Sequence, residues 1–259
     1  MKNIKMLFLL GGEMNKNLVF GLLSAIGFLF ASFASAKTIT LWLCDEGSGK
    51  NLIDNSGNGH DGTLEGKAGW TEGKFGKALE LHGDPDKVVV PGSKDLIGPT
   101  AMTVEMWLKA PAKAGYHIPI SKGLKGPGHW EIYLHAGTGR LSTYIPDLGD
   151  FTGTHVVTDD QWHHCAMIWD GYSIRLYADG EKVDEWKNLN GKKIVVDDQE
   201  LHIGHEFTHN NWHTGLLDEI RISDAALEVD ELGFNKSLAS EAVDQTGKLA
   251  ISWGGIKSK

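Results

Sequence analysis

Three histidines, His205, His209 and His213, stand four residues apart, a spacing that on a helix would bring them to one face and suit a transition metal. The stretch Glu206-Phe207-Thr208-His209-Asn210-Asn211-Trp212 reads as a loop between strands, so the spacing carries little weight as metal chemistry. The same stretch suits another task. Sugar-binding surfaces stack pyranose rings on exposed aromatic faces and fix the hydroxyls with Asn, Asp and His. Glu206, Phe207, His209, Asn211 and Trp212 gather that mixture in one loop, and Trp130, after Gly128-His129, offers a further ring. Tyr116-His117 and Asp147–Phe151 are additional candidates. Aromatic residues in loops also commonly pack against the end of a fold, and that alternative stays open for each.

Short strands must position these residues. Past Lys37 the apolar pattern has a period of two, broken by turn residues. Met102 to Leu108 alternates cleanly, and Trp130–Leu134 and Arg140–Tyr144 flank Gly137-Thr138-Gly139 as a hairpin. Asp170-Gly171 and Asp179-Gly180 predict two more hairpins, because Asp-Gly tolerates the positive φ angles of a type I′ turn. Hairpins in succession leave no room for parallel crossovers, so the expected class is all-β. One helix is expected, at Ala225–Gly233, with Asp224 as its cap. Residues 235–259 are polar apart from Leu249–Trp253 and could form a tail, an extra strand or a docking segment.

The chain starts differently. From Met14 a short basic start precedes an apolar run, Leu18 to Phe30, and then small residues up to Ala34-Ser35-Ala36. That order predicts a signal peptide over residues 1–36, starting at Met1 or at Met14, with cleavage after Ala36. The run is short for a membrane span of ~20 residues, so secretion to an extracellular or periplasmic space is expected, without stable membrane insertion. The leader holds three lysines and one glutamate, so its removal takes the formal charge from −9 to −11. An acidic chain argues against nucleic acid as a partner. Export makes a disulfide between Cys44 and Cys165 chemically possible, yet both sit in apolar strand patterns where two core thiols fit better.

Several segments in this order resemble the laminin-G-like family of concanavalin A-like jelly rolls. They are Leu41-Trp42-Leu43-Cys44-Asp45-Glu46-Gly47-Ser48-Gly49, Asp54-Asn55-Ser56-Gly57-Asn58-Gly59-His60-Asp61-Gly62 and Gly73-Lys74-Phe75-Gly76-Lys77-Ala78-Leu79. Trp162-His163-His164-Cys165-Ala166 with Trp169-Asp170-Gly171 comes next, and then Gly215-Leu216-Leu217-Asp218-Glu219-Ile220-Arg221-Ile222 with Ala226-Leu227. The cysteines depart from the family, where large apolar residues are usual. The resemblance implies an antiparallel sandwich of two sheets over residues 37–234, with first and last strands adjacent. It also implies structural calcium, with Asp54 and Asp218 as carboxylate ligands and a backbone oxygen from Asn58 or His60. A hard cation wants several oxygens, and glycines let a loop curl its carbonyls inward. An Asx-type turn in which Asp54 bonds its own loop amides, without metal, is the alternative. His164 is expected to be a packed, hydrogen-bonded core histidine.

Some concanavalin-type sandwiches cleave β-glucans, with paired carboxyl groups ~5 Å apart presented by a Glu-x-Asp-x-x-Glu strand. No such run exists here, Glu105 stands alone on its strand, and Asp218 and Glu219 point to opposite faces. Carboxylates on separate strands remain free to meet. No Ser-His-Asp arrangement or phosphate loop appears. The expected function is a non-catalytic binding module for a polysaccharide or glycoprotein glycan, with an extracellular protein partner as the alternative and glycoside hydrolysis the less favoured one.

Overall fold

The computed structural model describes residues 37–242; the expected leader and residues 243–259 lie outside the described residues. The chain begins with β1 (Thr38–Trp42), β2 (Asn51–Leu52), β3 (Gly62–Glu65), β4 (Gly69–Glu72), β5 (Lys77–His82) and β6 (Lys87–Val90). Next come β7 (Met102–Lys109), β8 (His117–Lys122), β9 (Trp130–Leu134), β10 (Arg140–Ile145), β11 (Gly149–Val156) and β12 (Trp162–Trp169). The last are β13 (Ile174–Ala178), β14 (Glu181–Trp186), β15 (Leu201–Ile203), β16 (His205–Glu206), β17 (Asn211–Trp212) and β18 (Thr214–Ser223).

Two eight-stranded sheets form a sandwich, and every strand pair is antiparallel. The first sheet runs β14-β13-β12-β7-β18-β5-β4, with β1 added on β18, so the first and last strands are adjacent as expected. The second runs β11-β10-β9-β8-β15-β6-β3-β2, and β16 pairs with β17 as a separate small hairpin. Alternation decides which side chains meet between the sheets. Met102, Val104, Met106 and Leu108 of β7 face Trp130, Ile132 and Leu134 of β9 in one core cluster. Each such side chain contributes about 1.5–3 kcal/mol relative to exposure.

The three expected hairpins are present, at β9–β10, β12–β13 and β13–β14. The two Asp-Gly turns differ. Asp179 (φ 51°) and Gly180 (φ 83°) are both left-handed, as a type I′ turn requires. At the other, only Gly171 is left-handed, and the Asp170 carboxylate holds the turn by accepting from the Tyr172 and Ser173 amides. Cys44 and Cys165 are both free and buried.

The stretch expected as a helix at Ala225–Gly233 contains only short 3-10 turns, Val229–Glu231 and then Gly233–Asn235, with Leu238–Glu241 beyond. The reason lies in what this stretch covers. It lies along the outer face of the first sheet, where Leu227 and Leu232 pack on Ala166 and Ile168, and Leu238 and Ala242 on Leu41 and Leu43. Extended backbone between the turns brings each apolar residue down onto the sheet. Residues 235–242 are thus a docked segment.

Candidate functional site

The outward face of the second sheet carries rows of side chains set by strand register. Thr63 of β3 stands opposite Val89 of β6, which faces His202 of β15, which faces Ser121 of β8. The row continues through Glu131 of β9 and Tyr144 of β10 to Asp150 of β11. A second row one step along places Tyr133 opposite Ser142, and Ser142 opposite Thr152. Residues between these, such as Ile132, point to the core, so parity alone puts tyrosines, carboxylates and hydroxyls on one outer surface.

The β16–β17 hairpin packs on β8 and covers half of this row. Ser121 Oγ donates to the His205 carbonyl at 2.8 Å. Phe207 stacks on His202 with ring centroids 3.6 Å apart, and Trp212 lies over His205 at 4.0 Å. Burial pushes the His202 imidazole down to about 3, and pushes His205 down too, with Lys87 adding to both, so the stack is made of neutral rings. Their Nδ1 atoms lie 3.1 Å apart, a distance one shared proton can bridge.

The other half of the row is open. A cleft of about 540 Å³ lies over it, lined by Tyr116, Ile118, Lys125, Glu131, Tyr133, Tyr144, Asp150, His209 and Asn211. Its polar groups are fixed from below. The Tyr133 hydroxyl donates to Asp150 Oδ1 at 2.7 Å and lies 3.1 Å from Thr152 Oγ1. Burial raises the Tyr133 phenol above its ordinary range, so it stays a donor. Lys125 Nζ bridges Glu131 Oε1 at 3.2 Å and sits 5.3 Å above the Tyr144 ring centre. At one rim Tyr116 meets Tyr133 and His135 edge-to-face, and those two rings are tilted against each other.

The six residues expected to bind ligand fall into three groups. His209 and Asn211 line the cleft. Phe207 and Trp212 stand beside it, but each spends a ring face on an imidazole. Glu206 and Trp130 are corrections. Glu206 is fully buried and accepts from the Thr208 and His209 amides and from Asn211 Nδ2, which ties the hairpin tip. Trp130 has core parity on β9, is fully buried, and donates from Nε1 to the Leu96 carbonyl at 3.2 Å. Searching loops alone misses Tyr133 and Tyr144, which lie within strands. The signal that finds them is alternation, since Glu131-x-Tyr133 and Ser142-x-Tyr144 are polar or aromatic where the strand faces away from the core.

The four expected calcium ligands do not form one site. Asp54 Oδ1 accepts from the Leu41 and Ser56 amides and Oδ2 from the His60 amide, all within 3.0 Å, which is the Asx-type turn. Asn58 Nδ2 donates to the Thr38 and Ile39 carbonyls, and the His60 carbonyl accepts from Trp42 Nε1. Asp218 serves a different loop, accepting from the Phe75 amide at 2.9 Å. Its Oδ1 is buried without a partner, and burial, with Glu219 and Asp45 close by, pushes its carboxyl up to about 7. Among the described residues no group of three or more His, Cys, Asp or Glu side chains is arranged to hold a metal ion. His164 is the core histidine expected, 1% exposed with Nε2 at 2.8 Å from Glu105 Oε2.

A search of curated proteins finds no match to this chain. Among solved structures, domain 4 of AbnA, a GH43 extracellular arabinanase from Geobacillus stearothermophilus in complex with arabinotriose, superposes with a TM-score of 0.63 at 20% identity, covering 76% of this chain and 96% of that one. The binding domain of Paraclostridial Mosquitocidal Protein 1 gives 0.63 at 16% identity, covering 75% of this chain and 50% of that one. The botulinum neurotoxin serotype G binding domain gives 0.58 at 15%, covering 75% and 49%. This chain therefore spans about half of each toxin domain. At such identities the likeness carries the fold alone. The family model described as the concanavalin A-like lectin/glucanases superfamily, in its laminin-G-like form, matches residues 82–233, most of the described sandwich, and the chain belongs to that family.

Proposed function

We propose that this chain is an exported, non-catalytic glycan-binding module whose site is the open half of the second sheet's outer face. The observation that carries the reading is the cleft itself, where Tyr144 and Tyr116 offer rings beside Glu131, Asp150 and Asn211. Aromatic faces with fixed polar groups at the edge match the two sides of a sugar, apolar C–H surface and directional hydroxyls. A domain of the same fold, domain 4 of the arabinanase AbnA, is described in complex with arabinotriose and supports the class of ligand. A protein partner fits less well, because the surface is grooved and charged rather than flat and apolar. The test is calorimetric titration with neutral oligosaccharides of several linkages; no heat with any of them at millimolar ligand removes the reading.

Calcium belongs to the proposal at Asp218 rather than Asp54. The unpartnered Asp218 Oδ1 and the nearby Asp45 form a crowded acidic spot that a divalent cation or a proton would neutralise. Calcium should then raise the melting temperature of the parent at pH 8 and leave an Asp218→Asn variant unmoved, because a ligand that binds only the folded state stabilises it. An equal response in both proteins would remove calcium from this site.

A further inference from the structure

Resting on that reading, we infer that the cleft accepts glycans without acid groups and rejects uronic, sialic and sulfated ones. The inference comes from counting the charges that a ligand would meet. Glu131 and Asp150 bring two carboxylates, and among the described residues Lys125 is the single lysine or arginine in the lining. That ammonium is committed, 3.2 Å from Glu131 Oε1 and above the Tyr144 ring. His129 is fully buried beneath the floor with Nε2 3.3 Å from Glu131 Oε2, so it faces the protein carboxylate and not the cleft. His209, on the wall, has Nδ1 3.5 Å from Glu206 Oε1. Asp150 is solvent-exposed, its Oδ1 accepting from the Tyr133 hydroxyl and no cation among the described residues paired with it.

An anionic sugar is normally held by an arginine fork or a free ammonium, and the cleft offers neither. Its carboxylate would enter beside Asp150 on a chain whose formal charge is −9, with repulsion reaching across a Debye length of about 8 Å at physiological salt. A neutral sugar meets the opposite situation. Its hydroxyls donate to Asp150, accept from Asn211 and Tyr144, and leave a C–H face for the exposed Tyr116 ring. Asp150 thus acts as an acceptor for hydroxyls and, with Glu131 in the floor beneath, as a barrier to acids.

The experiment uses matched pairs that differ only in one acid, such as a xylo-oligosaccharide and its glucuronate-substituted form, or a neutral and a sialylated galactoside. Dissociation constants are measured by calorimetry at 50 and 500 mM salt for the parent and for Asp150→Asn. The expected result is that the acidic member binds at least tenfold more weakly, that salt narrows the gap, and that Asp150→Asn narrows it at low salt while the melting temperature holds. Equal or tighter binding of the acidic member overturns the inference and leaves the glycan reading intact. Binding of neither member in any pair overturns both.

Discussion

Each sheet carries a buried glutamate on its outward face, and the protein treats the two in opposite ways. On the first sheet Glu105 is fully partnered. Oε1 accepts from Arg221 Nε at 2.6 Å, while Oε2 meets His164 Nε2 at 2.8 Å and accepts from the Gly233 amide at 2.7 Å. Burial works against its charge, and His164 and Arg221 outweigh that and hold the carboxyl below its usual range. The 225–242 segment seals the arrangement, with Arg221 also reaching the Glu231 carbonyl and the Glu241 carboxylate. On the second sheet Glu131 keeps one ion pair through Oε1, and its Oε2 lies near His129 Nε2 without hydrogen-bond geometry. The β16–β17 hairpin covers only half of that face, and a cleft stands over the rest. Glu105, with every oxygen partnered, holds the fold together, whereas Glu131, buried and half-partnered, lies in the floor of a cleft whose exposed carboxylate is Asp150.

The comparison can be broken most forcefully at Glu105. Removing it strands Arg221 and His164 under the docked segment, and Glu105→Ala should lose about 3–5 kcal/mol in a denaturant titration. The folded fraction should bind glycan as the parent does. A smaller intervention blurs the two faces, because Glu206 is a structural carboxylate on the functional side. Glu206→Ala frees the hairpin tip and should cost about 1–3 kcal/mol, and it should also weaken ligand binding by loosening His209 and Asn211, read by calorimetry on the same sample.

The smallest expected effect concerns pH. Burial pushes Asp218 and Glu219 each up to about 7, against ordinary values of 3.8 and 4.5. A carboxyl with a raised folded pKa binds its proton more tightly in the folded state. Its contribution is therefore full below the ordinary value and lost as pH rises through about 7. Buried neutral His202 and His205 act in the opposite sense, so the effect is read against a variant: from pH 5.5 to pH 8 the urea midpoint of the metal-free parent should fall relative to that of the double variant Asp218→Asn, Glu219→Gln.

Much of the fold is legible in the residues alone. Period-two alternation, the Asp-Gly turns and the motif segments from Leu41 to Ile222 lead to the antiparallel sandwich, with β1 beside β18. The helix at 225–233 is misread because acidic residues after Asp224 imitate a capped first turn, while the apolar residues are spaced for contact with a sheet. The site is only half legible. Glu206 to Trp212 attracts notice for its composition, and the structure makes that hairpin a wall. The floor is spread over β9, β10 and β11, and only register brings Glu131, Tyr144 and Asp150 into one line. Register depends on hairpin geometry that composition does not specify. Asp54 shows the reverse problem, since a carboxylate in a glycine-rich loop looks the same in sequence whether it holds a cation or three amides.

The central claim places binding on the open half of the second sheet, and Tyr144 tests it most directly. Titrating the parent and Tyr144→Ala with the best neutral oligosaccharide, while following melting, separates the site from the scaffold. The account predicts at least a tenfold loss of affinity, about 1.4 kcal/mol or more, with a melting temperature close to that of the parent. Undiminished affinity in Tyr144→Ala with an intact fold would contradict it.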